Sequence, residues 1–240
     1  MVPLLALCVL IAFTLEAMTG FGSVVIAVSL ASLVLPLDQV VPAVVPLNVV
    51  MSSVILAREY RHIQWRLLLG RILPLMALGT VSGYLLLPLV EPTLLKKLFG
   101  LLLIGFSSRE LWQLHRQRWR PLPSAAAPVV MLGAGVTHGL FASGGPLLMI
   151  ALTGSALSKA ALRATLISVW WTLNLCLTVA FWLDGRLAPQ LPTVALLLLC
   201  LPVAVMLGNH WHGKVDEQRF KKVIYAVLAV VGVMLVGSAL

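Results

Sequence analysis

The chain has 240 residues, of which 60% are hydrophobic and only 10% charged, with 17 lysines and arginines against 8 aspartates and glutamates and a formal net charge of +9. A mean hydropathy of +1.04 lies far outside the usage of a soluble globular domain and points to a polytopic membrane protein. The basic residues are dispersed in loops without an aromatic platform, which argues against nucleic-acid binding despite the charge.

A spanning helix needs about 20 apolar residues. In chain order the apolar runs are Val2–Pro36, Gln39–Ala57, Arg66–Val90, Leu94–Trp112, Ala125–Thr153, Lys159–Leu183, Leu191–His210 and Arg219–Leu240. They predict an all-α membrane bundle of about eight transmembrane elements. No basic n-region precedes the first run and no small-residue cleavage site follows a short apolar stretch, so that run is expected to stay in the mature protein. Cys8, Cys176 and Cys200 lie inside apolar runs without pairing or metal spacing and read as small core residues.

Two runs are interrupted near their middles. The first breaks at Thr19-Gly20-Phe21-Gly22-Ser23, and Ala125–Thr153 breaks at Ser143-Gly144-Gly145-Pro146. A straight helix over residues 2–36 would be roughly 52 Å long at about 1.5 Å per residue, against a hydrocarbon core of about 30 Å. Two shorter helices meeting near the middle fit, with glycines supplying the unwound link where protein or a water-filled cavity surrounds it. The break is either a kinked span or a re-entrant hairpin. Ser23, Ser143 and Pro146 are suited to opening the second helix of each pair. Such interior helix N-termini bind an anion without a buried lysine. Glycines that merely let helices pack closely are the bland alternative.

The chain divides near Pro121-Leu122-Pro123 into two similar halves, 1–120 and 121–240. Pro36-Leu37-Asp38-Gln39 matches Ala156-Leu157-Ser158-Lys159, and the stretch Glu91–Leu98 matches Asp216–Val223. Pro74 with Gly79 and Gly83 answers Pro202 with Gly208 and Gly213. Four crossings per half make the repeats parallel; re-entrant hairpins would change the crossing count and with it the repeat orientation. The loops holding Arg58, Arg61, Arg66 and Arg71, and Arg109, Arg116, Arg118 and Arg120, outweigh the intervening Lys96 and Lys97, so they are expected to be cytoplasmic. With eight spans both termini are then cytoplasmic, although the loop with Lys214, Arg219, Lys221 and Lys222 falls on the opposite side.

Ionisable and amide side chains inside a bilayer are costly and mark function or cross-linking. Glu16, one turn before the first glycine cluster, is a candidate proton carrier or a structural partner of a hydroxyl. His138, before the second cluster, carries a proton or bonds a carbonyl. Arg163, one turn inside the helix that Ser158 caps, is either a bidentate oxyanion donor or a headgroup anchor. Asn48 and Asn174 line a cavity or join helices, and Trp170-Trp171 is a gate or ordinary packing. His62, His115, His138, His210 and His212 are scattered, and no nucleophile, base or metal set converges, which argues against an enzyme.

The Thr19–Ser23 cluster, Pro36, the Ser143–Pro146 cluster, Leu162-Arg163-Ala164-Thr165 and the glycine–proline helices together resemble the TauE/SafE family of sulfite exporters and related anion permeases over nearly the whole chain. The resemblance implies a secondary carrier for sulfite, sulfonates or other small sulfur-containing anions in a cytoplasmic (inner) membrane. The expected substrate site is Thr19, Gly20, Phe21, Gly22, Ser23, Asn48, His138, Ser143, Gly144, Gly145, Pro146, Arg163 and Asn174. The two halves would rock around the anion, with proton coupling through Glu16 or His138; a passive anion channel would use the same constriction. Expected partners are a small anion and the lipid bilayer, without nucleic acid, cofactor or metal, and a homo-oligomer is compatible with the composition.

Overall fold

The computed structural model describes residues 2–19, 22–116, 122–123, 125–153, 155, 157–211 and 217–238. Helix is the only regular structure among them. The elements are α1 (Val2–Thr19), α2 (Ser23–Ala31), α3 (Leu37–Glu59), α4 (Trp65–Leu67), α5 (Leu73–Leu86), α6 (Pro92–Arg116), α7 (Ala127–Phe141), α8 (Gly145–Leu152), α9 (Lys159–Leu183), α10 (Leu191–Leu198), α11 (Cys200–Trp211) and α12 (Glu217–Gly237). The short α4 runs through a π-type turn, Leu68–Ile72, into α5, which tolerates Pro74 because it sits in the first turn.

By length and apolarity Leu37–His62, Trp65–Leu89 and Lys159–Leu183 can each cross a membrane, and α10 with α11 makes a fourth span if the pair, bent by 43°, is counted as one. The remaining predicted spans fall short for identifiable reasons. The two interrupted runs are split into pieces, and α6 carries Lys96, Lys97, Arg109 and Glu110 toward its ends. Cys176 is exposed rather than a core residue, whereas Cys8 is buried.

Both predicted breaks are real, and in the second the chain reverses direction. Ala142, at the C-terminus of α7, adopts the left-handed conformation at φ 52° and turns the chain. Gly144 then lies against the Ala134 carbonyl and the His138 side chain, and Leu147 reaches Gly133, so α8 runs back along α7. A Cβ at Gly144 would collide with that carbonyl, which explains the glycine better than backbone freedom does, since its own φ is an ordinary −75°. In the first break the left-handed residue is Gly22 at φ 97°, and α2 packs on α1 as α8 packs on α7.

The packing crosses between the halves. α5 lies along α7 and α11 along α1, while α3 faces α9 and α6 faces α12. The close approaches are made by small residues: Gly79 meets Gly135, Gly83 and Gly139 meet facing backbone, Gly208 meets Ala17, and Gly100 meets Gly232. In a bilayer, where burial of apolar surface adds little, these contacts gain their energy from dispersion at short range.

At one end the tips of α5 and α9 are tied by the Tyr84 hydroxyl, which donates to Asp184, and by the Arg186 Nε and backbone amide, which donate to the same carboxylate at 2.7 and 3.0 Å. The Arg186 guanidinium also covers the Tyr84 and Phe181 rings, at 5.0 and 4.9 Å. Partial burial alone would raise the Asp184 pKa, but the hydrogen bonds from Arg186 and Tyr84 outweigh it and hold the carboxyl below its usual range. A depressed carboxylate pKa adds stability that is present at neutral pH and lost as pH falls below the ordinary carboxylate range. The melting temperature of the natural chain should therefore drop there more steeply than that of Asp184→Asn, and parallel pH profiles would refute the linkage.

Candidate functional site

The two helix breaks meet at one buried polar cluster. Asn48, near the middle of α3, donates through Nδ2 to Ser23 Oγ at 3.0 Å and to the two Glu16 oxygens at 3.3 and 3.4 Å. Its Oδ1 accepts from Ser52 Oγ at 3.2 Å and from Asn174 Nδ2 at 2.7 Å. Glu16 of α1, Ser23 of α2, Asn48 of α3 and Asn174 of α9 are each at most 2% exposed. One asparagine from each half thus joins the halves in the interior, as a buried amide pair must if its polar atoms are to be satisfied.

These side chains border a cavity of about 50 Å³ together with Gly22, Ser143, Gly145, Pro146 and Trp170. Each ordered water needs roughly 10–15 Å³ of such space, so the cavity has room for a few water-sized groups. Phe106 of α6, Met149 of α8 and Leu166 of α9 add apolar wall. Nothing in the sequence pattern marked Phe106 or Leu166, because lining a cavity from a distant helix leaves no local signature.

The serines do not open the second helices in the way expected from sequence. Neither α2 nor α8 has a side-chain cap at its N-terminus. Ser23 Oγ accepts from Asn48, and Ser143 Oγ donates to the Phe141 carbonyl at 3.0 Å, closing α7 instead. Pro146 is the second residue of α8 rather than the first. The first-turn N–H groups of both short helices are therefore left without side-chain acceptors at the edge of the cavity, the N-terminus of each carrying the positive pole of its dipole beside the C-terminus of the helix before it.

His138 is fully buried and stacks on Trp170 with ring centroids 5.7 Å apart, Trp170 standing between it and the cavity lining. The polar neighbour of His138 is the amide of Asn174, on the same helix, α9, as Trp170. Trp171 points elsewhere and donates to Ser53 at 2.8 Å.

Arg163 is not brought to the cavity lining. Its guanidinium pairs with Glu59 at 3.5 Å, both side chains being partly exposed at 32% and 25%. The same end of α3 and α9 is joined by the Gln64 amide, which donates to Thr165 Oγ1 at 3.1 Å. Gly144 supports the turn rather than lining the cavity. Gly20 and Phe21, and the side chain of Thr19, lie outside the described residues.

On the opposite side of the α7 tip a larger cleft of about 920 Å³ opens, lined by Leu140 of α7 and by Tyr84, Lys96, Phe181 and Arg186. The α7 tip thus separates two cavities, since Leu140 borders one and Ala142 and Ser143 the other. Phe141 is braced there by stacking on Phe99 at 4.9 Å.

The family model of the sulfite exporter TauE/SafE matches residues 5–235 of this chain. No curated protein and no solved structure matches it significantly. The match runs through both hairpins, the asparagine pair and the helices that frame them. It covers nearly the whole chain, and the chain therefore belongs to the TauE/SafE sulfite exporter family, a family of membrane transporters rather than enzymes.

Proposed function

We propose that the protein is a secondary transporter for a small sulfur-containing oxyanion, held in the cavity between the two hairpins and released to alternate sides as the halves rock. The observation that carries this reading is the meeting of two uncapped helix N-termini, from matched breaks in the two halves, at one buried cavity. Ser23, Ser143, Asn48, Asn174 and the first amides of α2 and α8 are the anion's partners. Arg163 acts at the mouth, where its pairing with Glu59 closes the path between α3 and α9.

The architecture that supports rocking is an inverted repeat. Each half, 1–120 and 121–240, contributes a re-entrant hairpin (α1–α2 or α7–α8) and three crossings. These are α3, α5 and α6 in the first half and α9, α10–α11 and α12 in the second. Three crossings per half turn the second repeat over, which accounts for α5 lying along α7 as α11 lies along α1. The same count fits the charge pattern. Among the described residues Lys96, Lys97 and Arg186 are the cations in segments at the end where α1 begins. The remainder, including the segment with Lys214 that opposed an eight-span arrangement, then share the cytoplasmic face of an inner membrane. Both termini fall on the other face, the reverse of what eight spans imply.

Glu16 is the coupling residue in this reading. An anion beside an ionised Glu16 puts like charges in one cavity of low dielectric, and a proton on the carboxyl removes the conflict. In proteoliposomes, sulfite uptake should saturate and should be driven by an imposed proton gradient. Glu16→Gln should keep downhill flux and lose the response to the gradient. Poorly saturating flux that ignores the gradient in both chains would favour a channel, and no flux of sulfite, thiosulfate or a small sulfonate in folded protein would sink the reading.

A further inference from the structure

We infer that the cavity selects a compact oxyanion bearing a single negative charge and excludes a dianion of the same shape. The inference rests on the transporter reading above and narrows its substrate. Among the described residues no lysine, arginine or histidine lines the cavity, and the ionisable side chain that does is the acid Glu16. Arg163 acts on Glu16 only through space, being paired with the Glu59 carboxylate outside the lining, which offsets its charge. The positive potential of the lining is left to two helix N-termini, each equivalent to at most roughly half an elementary charge and each beside the C-terminus of the preceding helix, which together balance no more than about one negative charge.

A second, independent feature sets the same limit. Asn174 lines the cavity at 1% exposure, and its amide also faces the buried ring of His138. Its Nδ2 is already committed to Asn48. The wall thus presents an amide whose nitrogen is already used and a carboxyl group beside the two helix ends. A monoanion can turn its charge toward the helix ends and a neutral or protonated edge toward Asn174 and Glu16. A dianion must place charge against acceptors on at least one side, in a water-poor space where like signs repel strongly. Volume adds the word compact, because about 50 Å³ accommodates a sulfur with its oxygens but not an extended organic tail.

Methanesulfonate and sulfate separate charge from shape, since a methyl group replaces one oxygen and each keeps its charge at working pH. Sulfite uptake by the full chain in proteoliposomes is measured at one pH and constant ionic strength with each as competitor. Methanesulfonate should inhibit at a concentration roughly tenfold or more below that needed for sulfate, a gap of about 1.4 kcal/mol. Glu16→Gln, which removes one acid from the wall, should narrow the gap. Sulfate competing as well as methanesulfonate overturns the inference, and so does failure of both while sulfite is still carried. If sulfite is not carried at all, the transporter reading fails separately, and thermal stabilisation of the purified chain by the two anions decides. Stabilisation by methanesulfonate alone upholds the selectivity, and equal stabilisation or none overturns it.

Discussion

Asn48→Ala is expected to lower sulfite flux by about ten- to a hundredfold in protein that still folds. Asn48 ties the first helix break to α9, donating to Glu16 of α1 and Ser23 of α2 and accepting from Ser52 and Asn174. Removing it leaves at least two buried groups without partners, each at a cost of about 1–3 kcal/mol. The loss falls on the occupied geometry, because Ser23 and Asn174 border the cavity and would turn to find new partners. An altered cavity of that kind loses roughly tenfold in binding for each 1.4 kcal/mol. Ser53→Ala is the control: Ser53 accepts from Trp171 on the exposed side of the same helix pair and should leave flux within about twofold, inside the few tenths of a kcal/mol usual for surface sites. Flux of Asn48→Ala within about twofold of the natural chain would remove the amide pair from the mechanism.

Gly139→Ala should have the largest effect on stability. The added methyl would meet the Thr80 carbonyl and stand 2.6 Å from the Tyr84 amide nitrogen, and neither can swing aside because both are backbone of the facing α5. The two helices must separate along a contact that also joins Gly79 to Gly135 and Gly83 to Val136. Overpacking of this kind costs about 1–3 kcal/mol, occasionally more. For a chain of this size that is a fall in melting temperature of roughly 3–10 °C. Gly105→Ala on α6, where nothing lies within 4 Å of the new methyl, should by contrast be neutral or slightly stabilising, as alanine favours helix over glycine. Equal melting temperatures for the two variants would mean that α5 and α7 are not closely packed. Because α7 also carries His138 and ends at the turn bearing Ser143, a stable Gly139→Ala variant should still transport poorly.

Much of the site was legible in the residues. Two apolar runs too long for one crossing and broken by glycine clusters announced the helix breaks, and the structure ends α1 at Thr19 and α7 at Phe141. The matched half-motifs foretold corresponding helix starts: α3 begins at Leu37 and α9 at Lys159, α6 at Pro92 and α12 at Glu217. Glu16, Asn48 and Asn174 stood out because polar groups inside apolar helices require partners, though their being each other's partners could not be read from positions so far apart. Arg163 looked equally suited to an anion, and it is the proximity of Glu59 across α3 and α9 that takes it away from the cavity.

The residues by themselves determined the class of the molecule and the location of the breaks, since each follows from hydropathy or from glycine and proline placement along the chain. Only the tertiary structure decided that the second break reverses the chain at Ala142 and that Ser143 closes α7 instead of opening α8. It also decided that the two asparagines meet and that, among the described residues, no cation lines the cavity. Those outcomes depend on which backbone and side-chain groups lie opposite one another after packing, and a kinked span and a hairpin share the same local sequence preferences until neighbouring helices choose between them.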